Sequence, residues 1–214
     1  MSAFYHTKPS GLPRFGDVVS GFHNATLKLG AKLDRDFGDF DIAVTHPKYL
    51  VILTPCCSIE KTVMSLAPLI QLPHPVFKNP FFAEDPTRIN RHVPAKKTLS
   101  PTQWEKLPVE DQQERMDKAD GYVFIEFYVY QEHDLLLRYE IPHDKETRKT
   151  GHYMVNFKDI CRVESKAIDR GNHSELAKLK ILELSVQARK ELRDKIAYYF
   201  ARVPDEDQRE LLPI

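Results

Sequence analysis

Apolar positions along this chain fall into short blocks of strand length, many alternating with polar ones, and the blocks predict strands more often than helices. Phe15–Phe22 (FGDVVSGF) reads as a first strand with a polar start. Residues 23–41 read as a polar hairpin or loop carrying Asp34, Asp36, Asp39 and Asp41, and Asp41–Thr45 reads as a second strand. His46-Pro47 interrupts, because proline turns the residue before it away from helix. Tyr49–Thr54 (YLVILT) is a continuous β-rich run of the kind buried on both faces, and Val63–Leu72 is the next apolar segment. Gly121–Tyr130 (GYVFIEFYVY) carries the strongest strand signal, with Leu135–Ile141 as its expected hairpin partner. His152–Phe157 alternates with period two, Ile160–Val163 continues it through a bend, and Leu176–Leu184 fits either strand or helix.

Two stretches break this pattern. Residues 73–120 hold prolines, Phe77, Phe81, Phe82 and Trp104 without a regular period, and Pro108–Ala119 reads as a polar helix. This is an insertion between strands with one or two short helices; its length suggests helical content or a functional arm. Residues 185–203 place Ala188, Leu192, Ile196 and Tyr199 at helical spacing behind Ser185 as N-cap, predicting a C-terminal helix. Six or seven strands in hairpin-like succession favour a mainly β chain. The expected form is a single domain over 1–214, a partly closed antiparallel β-barrel with the insertion and the last helix added.

Composition narrows the partners. The 214 residues carry 31 Lys+Arg and 31 Asp+Glu, so net charge is zero and no global basic excess serves a phosphate backbone. The first nine residues lack the apolar run of a secretory leader, and no apolar stretch approaches the roughly 20 residues that span a bilayer. Three cysteines, two of them adjacent (Cys56, Cys57, Cys161), fit a reduced interior. A cytoplasmic location without membrane association is the expectation.

The segments Arg14-Phe-Gly-Asp-Val-Val19, His46-Pro-Lys-Tyr-Leu-Val-Ile-Leu-Thr54 and Leu66-Ala-Pro-Leu-Ile70 resemble the growth-inhibitor toxin barrel of the PemK/MazF type, over about the first 70 residues. The resemblance implies an SH3-like barrel and a prokaryotic toxin–antitoxin or phage-defence setting. Members of that family cut single-stranded RNA with an arginine and a threonine. In this chain the arginine position reads His46 and the threonine position Ile70. A fixed guanidinium and a hydroxyl are both missing, so the resemblance implies a scaffold that has lost its cutting site. The resulting expectation is a non-catalytic component that binds a protein partner, either a second copy or a cognate protein of the same system. Phe77, Phe81, Phe82 and Trp104 would anchor that contact.

Other residues carry competing chemistry. His46 is a candidate acid or base, and with Arg88, Arg91, Lys96 and Lys97 it would make an RNA-binding protein or an endoribonuclease. Cys57 after a buried strand is a candidate nucleophile, although no His or Asp is placed beside it by sequence. Glu164-Ser-Lys166 has the Glu-x-Lys spacing of many metal-dependent nucleases, a pattern common by chance; no Cys-x-x-Cys, His-x-x-x-His or phosphate loop is present, so no metal or cofactor is expected.

Overall fold

Alternation on a single long strand organises this molecule. In the computed structural model the described residues are 3–29, 40–55, 58–59, 63–93, 98–99, 101–117, 122–143, 146–164, 168, 171 and 174–201. The strands are β1 (Val18–Val19), β2 (Asn24–Leu29), β3 (Phe40–Thr45), β4 (Leu50–Ile52), β5 (Val63–Gln71), β6 (Phe127–Tyr130), β7 (Tyr139–His143), β8 (Glu146–Thr150), β9 (Tyr153–Asn156), β10 (Cys161–Glu164) and β11 (Lys180–Leu182). The main sheet runs β11-β1-β4-β5-β9-β6, with β10 also on β5, and every pairing is antiparallel. β5 holds it together. One edge pairs with β4 through Leu66–Pro68; the other pairs with β9 through Leu69–Gln71 and with β10 through Val63–Leu66. The chain is mainly β, as its pattern predicts. The path ends at β11 and β6, and no closed ladder joins them among the described residues.

Successive side chains leave a strand on opposite faces, and here both faces are buried. Val18, Val51, Ala67, Leu69, Tyr128, Tyr130, Tyr153 and Val155 point to one core. The last helix α6 (Val186–Ala201) lays Ala188 and Leu192 on that core. The other face carries two smaller cores. One gathers Val19, Leu50, Ile52, Met64 and Leu66 with Leu176 from the short helix α5 (Glu175–Lys178). The second gathers Val129 and Met154 with Val76, Phe77, Phe82 and Ile89.

Those last four side chains come from the insertion, through α1 (His74–Phe77), α2 (Pro80–Glu84) and a 3-10 helix (Pro86–Asn90). The insertion is therefore the cover of one sheet face; α3 (Pro101–Glu105) and α4 (Val109–Asp117) follow. Asn79 and Asp85 cap their helices by accepting from the Phe81 and Thr87 amides at 3.0 Å. Asn90 then ties the cover to the sheet, donating to the Val129 carbonyl and accepting from its amide, both at 2.7 Å.

Three expectations change. The strand signal over 121–130 forms a strand only at β6, because Val123–Glu126 are bent. Its partner is β9, whereas Tyr139–His143 folds onto β8. The ambiguous segment 176–184 divides into α5 and β11. Gly16 needs its glycine: φ is +84°, and a Cβ there would lie 2.7 Å from Leu184 Cδ1.

Candidate functional site

The ribbon of β2 and β3 stands outside the main sheet. Its register pairs Ala25 with Val44 and Leu27 with Ile42, and pairs Asn24 with Thr45 and Lys28 with Asp41. Cross-strand partners share a face, so one face carries Ala25, Val44, Leu27 and Ile42 and the other is mostly polar. The apolar face is open: Leu27 is 58% exposed, Ile42 63% and Val44 55%. Isolated exposed leucines are ordinary, but three large aliphatic groups in register form a patch.

At the foot of the ribbon His23 and His46 meet. Their Nδ1 atoms are in hydrogen-bond contact, and the rings lie perpendicular with centroids 4.4 Å apart. One imidazole must donate and the other accept, so each is occupied by its neighbour. Both are exposed.

Beside them runs a cleft of about 700 Å³. Its lining comes from the ribbon, His23 through Leu27 with Thr45, and from Lys158 through Glu164 with Pro68. Lys158 pairs with Glu126 at 3.1 Å and Arg162 with Glu164 at 4.0 Å. The lining holds two cations and two anions, so the cleft has no net charge. The Asn24 side-chain oxygen is buried and has no hydrogen-bond partner among the described residues. Cys161 is half-buried, and burial raises its thiol pKa, which keeps it protonated and a poor nucleophile. Among the described residues no three metal-ligating side chains come together.

The residues singled out by sequence are scattered by the fold. His46 reaches the ribbon foot. Ile70 packs half-buried against the insertion core. Phe77 and Phe82 are 5% and 1% exposed, so they serve the core and cannot be surface anchors as the sequence suggested. Phe81 is half-buried beneath the Arg88 guanidinium, 4.5 Å from its ring centre. Arg88 also donates to the Phe81 carbonyl at 2.8 Å and pairs with Glu84 at 2.5 Å, so it braces the insertion rather than reaching for phosphate. Trp104 is half-buried on α3. Arg91 is exposed and lines a separate cavity of about 460 Å³ with Asn90, Gln131 and Glu191. Cys57, Lys96 and Lys97 lie outside the described residues.

Two groups of buried charge lie away from the cleft. The Lys180 ammonium sits 2.9 Å from Asp17 and 2.6 Å from Glu183, with all three side chains at least 95% buried. Burial pushes the Asp17 carboxyl up to about 6 against the pull of Lys180. For Glu183 burial acts upward too, but hydrogen bonds from Lys180 and Ser10 outweigh it and hold the carboxyl at about 2. This cluster fastens Ser10–Arg14 to β11, since Lys180 also donates to the Ser10 and Leu12 carbonyls at 2.8 and 3.0 Å. Lys195 on α6 is fully buried, donates to the Ile89 carbonyl and lies 5.0 Å from the Tyr122 ring centre. Burial lowers its ammonium to about 7.

Sequence reasoning missed His23, the apolar ribbon face and the Cys161–Glu164 wall. The ribbon was legible: Asn-Ala-Thr-Leu-Lys-Leu29 and Phe40-Asp-Ile-Ala-Val-Thr45 both alternate with period two. Asp34, Asp36, Asp39 and Asp41 in the same stretch give it the composition of a solvated loop and mask that alternation. The wall opposite had no local signal, because only the fold brings it there. The chain matches no protein-family model, no curated protein and no solved structure.

Proposed function

We propose that this chain is a non-catalytic interaction module on a toxin-like, partly closed barrel, a component of a prokaryotic toxin–antitoxin or phage-defence assembly, with the β2–β3 ribbon as its contact surface. The open, in-register apolar face of Leu27, Ile42 and Val44 carries this reading. A partner that covers it removes apolar surface from water at about 25 cal/mol per Å². The barrel reading is supported at the two sheet ends. Tyr5 forms a bridge to Leu184 just beyond β11, and its hydroxyl donates at 2.7 Å to the Gln131 carbonyl just beyond β6. What supports a lost cutting site is the pair of residues at the two motif positions, an exposed imidazole engaged by His23 and an aliphatic side chain packed in a core.

A second reading, RNA binding or endoribonuclease activity, has one observation in its favour. The paired imidazoles border a cleft that also holds Lys158 and Arg162. Two measurements decide between them. Mixed single-stranded RNA incubated with the chain stays intact, and His46→Ala changes nothing; cleavage lost in that variant establishes the enzyme. The chain co-expressed with the products of neighbouring genes retains one of them through purification, and Leu27→Lys with Ile42→Lys releases it. Retention undiminished by both lysines removes the ribbon from the interface.

A further inference from the structure

We infer that the cleft between β2 and β10 takes an extended, uncharged peptide segment of the partner as an added β-strand, hydrogen-bonded to both walls. This rests on the protein-binding reading above and names the chemistry of the contact. In a strand consecutive side chains point to opposite faces, so a wall made of consecutive residues presents an edge and not a face. Both walls are of that kind, His23 through Leu27 on one side and Cys161 through Glu164 on the other. Among the described residues β2 pairs only with β3, and β10 only with β5. Two edges with main-chain donors and acceptors therefore border one space of about 700 Å³. Such edges are templates for strand addition.

The walls describe the occupant. β10 offers four residues and β2 six, so the segment is of that length. The lining charges cancel, which favours an uncharged segment. Ala25, Leu27, Cys161 and Val163 alternate along the walls with Thr26, Arg162 and Glu164, which favours alternating apolar and polar side chains.

The test uses a capped, fluorescein-labelled pentapeptide, Thr-Val-Thr-Val-Thr, with anisotropy and amide hydrogen exchange as readouts. Saturable binding is expected, with slower exchange confined to β2 and β10. Alternate N–H groups of a bridging strand face opposite walls. N-methylation at the two valines and N-methylation at the three threonines should therefore each weaken binding at least about tenfold. Ala25→Arg, at an exposed position that lines the cleft, should do the same while the chain stays folded. Absence of saturable binding at millimolar peptide, equal binding by the methylated forms, or protection elsewhere overturns the inference. Sensitivity to only one methylated set overturns the two-wall geometry. These failures are separable from failure of the protein-binding reading, which shows as no retained neighbour protein with the ribbon intact.

Discussion

The main sheet and the ribbon are built from the same alternation and end in opposite environments. On β5 the even and odd positions both find cores, with Met64 and Leu66 on one side and Ala67 and Leu69 on the other. On the ribbon the apolar set Ala25, Leu27, Ile42 and Val44 faces outward with nothing laid across it among the described residues. The difference lies in what each strand has to pack against. α6, α5 and the insertion helices cover the sheet on both faces. Alternation thus specifies a strand and its two faces, while the presence of a cover decides between core and open surface.

The largest expected effects lie on the covered side. Phe82→Ala removes a 1% exposed ring from the insertion core and should cost about 3–5 kcal/mol in urea unfolding. Lys180→Met leaves Asp17 and Glu183 buried without their shared cation and should cost a similar 3–5 kcal/mol. A Phe82→Ala loss under 1 kcal/mol would mean that the insertion is a detachable arm, and the contrast between covered sheet and open ribbon would collapse.

Lys195 gives the next effect, with a defined sign. Its ammonium is pushed down to about 7 in the folded chain by burial, whereas an exposed lysine holds its proton to about 10.4. Between those values the unfolded chain binds the extra proton, so acid favours unfolding and stability climbs as pH rises from 7 toward 10. The slope contributed is at most about 1.4 kcal/mol per pH unit. Lys195→Met should remove that slope, read as the difference between the two unfolding free energies across pH 7–10. A difference that stays flat would place the ammonium in water and open the seam between α6 and the 3-10 helix.

The legible part of this fold was what local pattern encodes. Tyr49–Thr54 reads as a strand buried on both faces, and Val51 and Ile52 do face different cores. The helix at 185–203 shows in its stripe and its Ser185 cap, which accepts from the Ala188 amide at 3.2 Å. Partner choice was not legible. Leu135–Ile141 follows β6 closely enough to suggest a hairpin, yet β9 takes that place, since pairing is settled by which faces must be buried together. Phe77 and Phe82 looked like surface anchors because the insertion lacks a period. They are interior because short helices, capped by Asn79 and Asp85, aim them at the sheet. Of the site, His46 was found from its motif position. The cleft was not, since its walls are more than 130 residues apart in sequence.

The smallest effect is the one that tests the comparison most directly. Leu27→Thr with Ile42→Thr places a β-branched residue at both strand positions and trades apolar for polar side chains. Both positions are more than half exposed in the folded chain and exposed when it unfolds, so little transfer free energy separates the two states. The pair should therefore shift the urea midpoint free energy by no more than about 0.5 kcal/mol, the usual range for surface positions. On the proposed interface the same double variant should also lose a retained partner, because the apolar area such a partner would cover is gone. A stability loss above about 1.5 kcal/mol would show that this face is packed against the chain's own residues, and the ribbon would then belong with the sheet rather than opposite it.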